Sequence, residues 1–322
     1  MLGTHLEMMM GRRSLLGLGA GAAALSLPAL ATAAGSSRGV NRPLDLSNPE
    51  DHLRMYVKMS ASEEDGAETL LVYEGTTFGV TNGTDLVPLY GMLGFSPVRT
   101  FRQPDASWRI LGSEAAVFTD LATGKVLETW QNPYLDNRAV DVWHLRTGPI
   151  NLRLDPHRPI NAGGWRLLRP SSYGTNGFFM PIEEHDGHFI VALDAQAQRK
   201  NPLDPVAWPA ESTGAMMRYS EHNTWRIKRS EVENPDIPSP PIFAAWHTNK
   251  EWRPWMLMGQ RPGHIYNHLI AYKVKSIGEV PRVLLDYYER VAPQFLSAPK
   301  TWTGEYKTDW DHFMAARRPA KP

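Results

Sequence analysis

Short runs in which apolar and polar residues alternate recur along this chain from residue 53 to residue 274, the signature of half-buried β-strands. The run 53–59 alternates from Leu53 to Met59, and the runs 68–73 and 76–80 follow, separated by a turn at Gly75. Residues 108–119 and 125–130 flank a hairpin loop that ends in Gly124, a position suited to left-handed backbone. A further β-branched and aromatic run covers 139–145. Residues 178–183 and 189–193 flank Asp186-Gly187, a strong two-residue turn signal. Later strands are expected at 215–219, 224–228, 242–247 and 268–274. Helical spacing is confined to the end. Val283, Leu284, Tyr287, Tyr288 and Val291 recur on one face between Pro281 and Pro293, and 309–316 has room for a last short helix. The pattern predicts a mainly β protein: a single antiparallel β-barrel or barrel-like sandwich with one or two C-terminal helices.

Upstream of these runs the pattern changes. Arg12-Arg13-Ser14-Leu15-Leu16 precedes a Leu-, Ala- and Gly-rich stretch, and Ala31-Thr32-Ala33 offers the small residues that a signal peptidase reads. Residues 1–33 therefore read as a twin-arginine export signal, a Sec signal being the closer rival. The expected destination is the periplasm or another exported location. The apolar core is short for a membrane span, so no span is expected after cleavage. Residues 34–49 read as a polar arm and 50–322 as one β-rich domain.

Charge narrows the partners. Lys and Arg together number 34, as do Asp and Glu, so no basic surface excess invites nucleic acid. The absence of cysteine excludes thiolate metal sites, thiol nucleophiles and disulfides. Eleven tryptophans and 26 prolines exceed ordinary usage and suggest ring-lined surfaces in a Pro-punctuated β fold. No dinucleotide fingerprint, phosphate loop, nucleophile elbow or zinc-protease helix is present, so no cofactor is expected.

Three segments resemble the bacterial DUF1838 family: Glu128-Thr129-Trp130-Gln131-Asn132-Pro133-Tyr134, Val140-Asp141-Val142-Trp143-His144, and the stretch from Trp252 to Gly263. The resemblance spans about 44–300 and implies one continuous domain. It implies no particular activity and brings no catalytic residues.

The residues themselves offer candidates. Pairing of the strands around Asn132-Pro133 would bring Glu128, Asn132 and His144 together at one barrel mouth. A carboxylate orienting an imidazole beside an amide suits proton transfer, while a structural hydrogen-bond network that closes the corner explains the same residues somewhat better. Trp130, Tyr134, Trp246, Trp252, Trp255 and Met258 supply rings and thioethers for an apolar pocket or for a core. Arg261, like Arg253, is available for a carboxylate or an oxyanion. His264 and His268, four apart, are the weak metal candidates. His185 and His188 sit at a solvated hairpin tip.

These features leave two main functions open. One is a cofactor-independent lyase or isomerase acting by His and carboxylate acid–base chemistry on a small apolar or aromatic molecule. The other is a non-catalytic periplasmic carrier of such ligands, of lipocalin-like type. The sequence does not fix the oligomeric state.

Overall fold

A computed structural model of the chain describes residues 44–83, 85–157, 166–167 and 177–320. The leader expected at 1–33 and most of the arm expected at 34–49 lie outside the described residues. Within them the fold is mainly β, as the alternation predicts: one antiparallel sheet of ten strands, curled into a half-barrel. Nine strands follow one hydrogen-bonded path, and the tenth pairs beside it. Two meanders meet at a seam. The first comprises β1 (Glu68–Val80), β2 (Val87–Arg102), β3 (Trp108–Thr119) and β6 (Leu145–Leu154). The second comprises β9 (His188–Lys200), β10 (Met216–Lys228), β11 (Phe243–Lys250) and β12 (His264–Val274), and β1 pairs with β12 to join them. The two-stranded ribbon β4 (Thr129–Asn132) and β5 (Arg138–Asp141) stands apart from the main sheet. The remaining strands, β7 (Arg166–Leu167) and β8 (Ile182–His185), are short.

The Asp186-Gly187 turn forms as expected between β8 and β9, with φ of 47° and 68°, a left-handed pair that Gly and Asp tolerate best. Expected strands 215–219 and 224–228 are one continuous strand, β10, whose inward positions Met217, Tyr219, Glu221, Asn223, Trp225 and Ile227 are all buried. Polar residues at its centre hide that continuity from a hydropathy reading.

One expected strand is a helix. Residues 53–59 belong to α1 (Pro49–Ser60), which begins at Asn48, whose side chain accepts a hydrogen bond from the Glu50 N–H. Pro49 sits at the start and Glu50 and Asp51 in the first turn, the residues a helix N-terminus favours. Every residue from Asp51 to Ser60 is buried, so α1 has no solvated face to impose a period of 3.6. Its polar members are internally matched. Arg54 pairs with Glu63, and Lys58 donates to the Asn234 carbonyl at 2.7 Å. Lys273 of β12 caps its far end, donating to the carbonyls of Lys58 (2.6 Å) and Ala61 (2.8 Å) and to Ser239 Oγ (2.9 Å).

The sheet packs on both faces. Leu70, Val72, Phe95, Ala115 and Val117 face outward beneath α3 (Arg282–Val291), which lays Leu284, Leu285 and Tyr288 against them. Each such fully buried side chain contributes roughly 1.5–3 kcal/mol. The short helix α2 (Arg229–Val232) closes the end of β10. Helix α4 (Asp309–Ala316) spans the open side of the half-barrel. His312 Nε2 is 2.7 Å from the Gly148 carbonyl on β6, while Trp310 packs against Ala195, Ala197, Met217 and Tyr219 of β9 and β10.

Candidate functional site

The concave face of the half-barrel collects the buried polar chemistry. Alternation along β1 turns Tyr73, Gly75 and Thr77 inward. At the level of Thr77 the register runs to Asn267, Thr248 and Glu221, one residue from each successive strand. Thr77 Oγ1 donates to Asn267 Oδ1 and Asn267 Nδ2 donates to Thr248 Oγ1, both at 2.7 Å. At the level of Gly75 the register reaches Leu269, Trp246 and Asn223, and Asn223 Nδ2 donates to Glu221 Oε1 at 2.5 Å. Within the first meander, the Tyr73 hydroxyl donates to Glu114 Oε1 at 3.0 Å. The Tyr73 ring meets Trp246 edge-on, with centroids 5.3 Å apart.

Next to this row stands Arg253, buried to 4% exposure. Its guanidinium lies 5.2 Å from the centre of the Phe118 ring and pairs with Asp309 Oδ2 at 3.3 Å. Asp309 Oδ1 accepts from Trp143 Nε1 at 2.9 Å and from the Arg146 N–H at 3.1 Å. Burial pushes the Asp309 carboxyl up, and the Arg253 charge opposes that shift. Burial also pushes the Tyr73 and Tyr90 hydroxyls well up, so both are neutral donors at ordinary pH, while Arg253 works the other way on each.

Several buried atoms here have no hydrogen-bond partner among the described residues: Arg253 Nε and Nη2, the indole N–H groups of Trp225, Trp246 and Trp255, and Asn223 Oδ1. Five of the six are donors. An unsatisfied buried donor costs about 1–3 kcal/mol, so this concentration distinguishes the interior from an ordinary core.

The expected triad is dispersed into separate roles. The Glu128 side chain is exposed, and its backbone carbonyl accepts from the Val142 N–H at 2.9 Å. Asn132 is fully buried: its Oδ1 accepts from the Tyr134 N–H, and its Nδ2 donates to the Met256 carbonyl at 2.7 Å and to Met258 Sδ at 3.3 Å. His144 follows β5, in the link to β6. Its Nδ1 accepts from the Phe118 N–H at 3.0 Å, and the ring also bonds to the Leu127 backbone. Burial lowers its pKa to about 4. Both ring bonds go to backbone, and neither goes to Glu128.

Of the expected pocket residues, Trp246 and Trp255 line the interior, Trp255 touching the rings of Tyr90, Phe118 and Trp130. Trp130 donates to the Leu89 carbonyl at 3.3 Å, and Trp252 to the Arg261 carbonyl at 3.1 Å, so both indoles are satisfied structurally. Tyr134 stacks at a tilt on Trp252, and Met258 is buried beside Asn132. The Arg261 side chain is exposed at a turn.

His264 and His268 both point outward from β12, and this corrects the metal expectation. Four residues along a strand span about 13 Å, too far for two imidazoles to share one ion.

Sequence reasoning missed Tyr73, Glu114, Glu221, Asn223 and Asp309. Glu114 carried a signal, since it is the one charged residue in the run from Ile110 to Phe118.

A family model described as a protein of unknown function, DUF1838, matches residues 66–317, well over half the chain. No curated protein was found to match it.

Proposed function

The chain belongs to the DUF1838 family, and we propose that the half-barrel binds a small, largely apolar or aromatic molecule with an acceptor-rich end, a carboxylate or a carbonyl. The observation that carries this reading is the cluster of buried donors at Arg253, Trp225, Trp246 and Trp255 beside the rings of Tyr73, Tyr90 and Phe118. A donor-rich lining selects oxygen acceptors, and the rings accommodate an apolar body. Among the described residues no helix is long and apolar enough to cross a membrane.

The same site supports acid–base chemistry without a cofactor. Tyr73 and Glu114 form a buried hydroxyl–carboxylate pair, and Arg253 is the group to hold a developing oxyanion. This moves the proton-transfer role from His144, whose ring bonds serve the backbone. A lyase or isomerase reaction fits that set. The adaptable Met256 and Met258 next to Trp255 favour the carrier as the second reading. Product formation separates the two. The twin-arginine leader makes an exported site of action part of the proposal, and replacing Arg12 and Arg13 by Lys should retain the protein in the cytoplasm.

Native mass spectrometry of tag-free protein from its own cells tests the binding reading. A stoichiometric small molecule is expected, with retention reduced about 2–10-fold in Trp246→Phe, the equivalent of one lost hydrogen bond. Protein that never carries such a mass, from any growth condition or extract, would refute the reading.

A further inference from the structure

On the opposite, convex face, the register places three histidines side by side. His222 of β10 stands directly across from His247 of β11, and His247 directly across from His268 of β12. Asp194 of β9 extends the row beyond His222, and Thr76 of β1 extends it beyond His268. Directly opposed side chains on neighbouring strands have Cβ atoms about 4.5–5.5 Å apart, close enough for two imidazoles to share an ion. The His247 and His268 rings already stack with centroids 4.8 Å apart.

The hydrogen bonds orient two of these rings. His222 Nδ1 is 2.8 Å from Asp194 Oδ1, and His247 Nδ1 is 2.7 Å from the Tyr266 hydroxyl. A proton on each Nδ1, donated to those oxygens, leaves both Nε2 lone pairs free. A carboxylate or hydroxyl behind an imidazole is the usual support of a metal-ligating histidine, since it fixes the tautomer and raises ligand basicity. The row is reachable from solvent, with His268 and Asp194 exposed and His222 half-buried.

We propose that this row binds one divalent ion of the zinc–nickel–copper class, with His247 as the central ligand and His222 and His268 as its flanking ligands. Imidazole suits these borderline metals, which it ligates at about 2.0–2.1 Å in the zinc case. Among the described residues no three such side chains already stand in ligating arrangement. Binding therefore turns the rings about their side-chain bonds and leaves the backbone register in place. The site is separate from the interior and does not depend on its ligand.

Zn²⁺ titrated calorimetrically into tag-free, chelator-treated full chain tests the assignment. One equivalent should bind, His247→Ala and His268→Ala should each weaken it at least tenfold, and Asp194→Asn should weaken it about 10–100-fold. His264→Ala, on the same strand but outside the row, should leave binding unchanged. Circular dichroism checks that each variant is folded, which the exposure of His268 and Asp194 favours. An absence of binding, or affinity unaltered in folded His247→Ala and His268→Ala, would overturn the site.

Discussion

The Tyr73 hydroxyl of β1 donates a 3.0 Å hydrogen bond to Glu114 of β3, reaching past the intervening strand β2. The reach is possible because β2 presents Gly94 beneath the ring, where a Cβ would come within 2.3–2.5 Å of Tyr73 atoms. Glycine here is a matter of space, since the aromatic ring occupies the volume that a side chain would need.

Removing the hydroxyl should therefore cost stability without opening a large void. Tyr73→Phe is expected to lower unfolding free energy by about 1.5–3 kcal/mol, the range for a hydrogen bond to a charged group. Urea denaturation of the two proteins measures it. An unchanged midpoint would mean that the bond contributes nothing net.

Gly94→Ala should act on the same pair from the other side. The added methyl displaces the Tyr73 ring from Glu114, at an overpacking cost of about 1–3 kcal/mol. Denaturant unfolding reads the cost, and Tyr73→Phe combined with Gly94→Ala should be less than additive, because both break one contact. Full additivity would show that the two effects are independent.

Asp309 ties helix α4 to the interior through Arg253, Trp143 and the Arg146 backbone. Asp309→Ala leaves the Arg253 charge buried and is expected to cost about 3–5 kcal/mol. Near-ultraviolet circular dichroism should change as the Trp143 indole loses its acceptor. A variant as stable as the parent would sever α4 from the closing role assigned to it.

His144 makes the fold acid-sensitive. Its pKa falls from the ordinary 6.5 to about 4 on folding, so between those values the unfolded chain binds more protons. Its stabilising contribution is complete above about pH 6.5 and drains away as pH drops toward 4, by about 3 kcal/mol in all. Burial lowers the His52 pKa too, and that residue acts in the same direction. Urea midpoints measured from pH 7.5 to 4.5 should fall steeply for the parent and less steeply for His144→Asn. Parallel slopes would remove His144 as a cause.

Much of the architecture was readable from local chemistry. The turn at Asp186-Gly187, the helix bounded by Pro281 and Pro293, and the last helix at 309–316 each carry their signal within a few residues. Helix α1 did not, because burial on all sides removed the polar face that would have shown its period. The site was the least legible part. Tyr73, Glu114 and Arg253 lie on three distant segments, and Glu221 and Asn223 face inward only because of strand register. His144 stood out as an imidazole in a Val- and Leu-rich run, yet its bonds run to Phe118 and Leu127, partners that only the corner geometry reveals. The row His222–His247–His268 was likewise invisible, since 25 and 21 residues separate its members along the chain.

The binding reading of the interior is tested most directly by a crystal structure of tag-free protein taken from its own cells. Electron density for a small molecule is expected inside the half-barrel, with oxygen atoms within hydrogen-bond distance of Arg253 Nη2 and Trp246 Nε1. An interior filled by protein side chains, with those donors bonded only to protein or to ordered water, would contradict it.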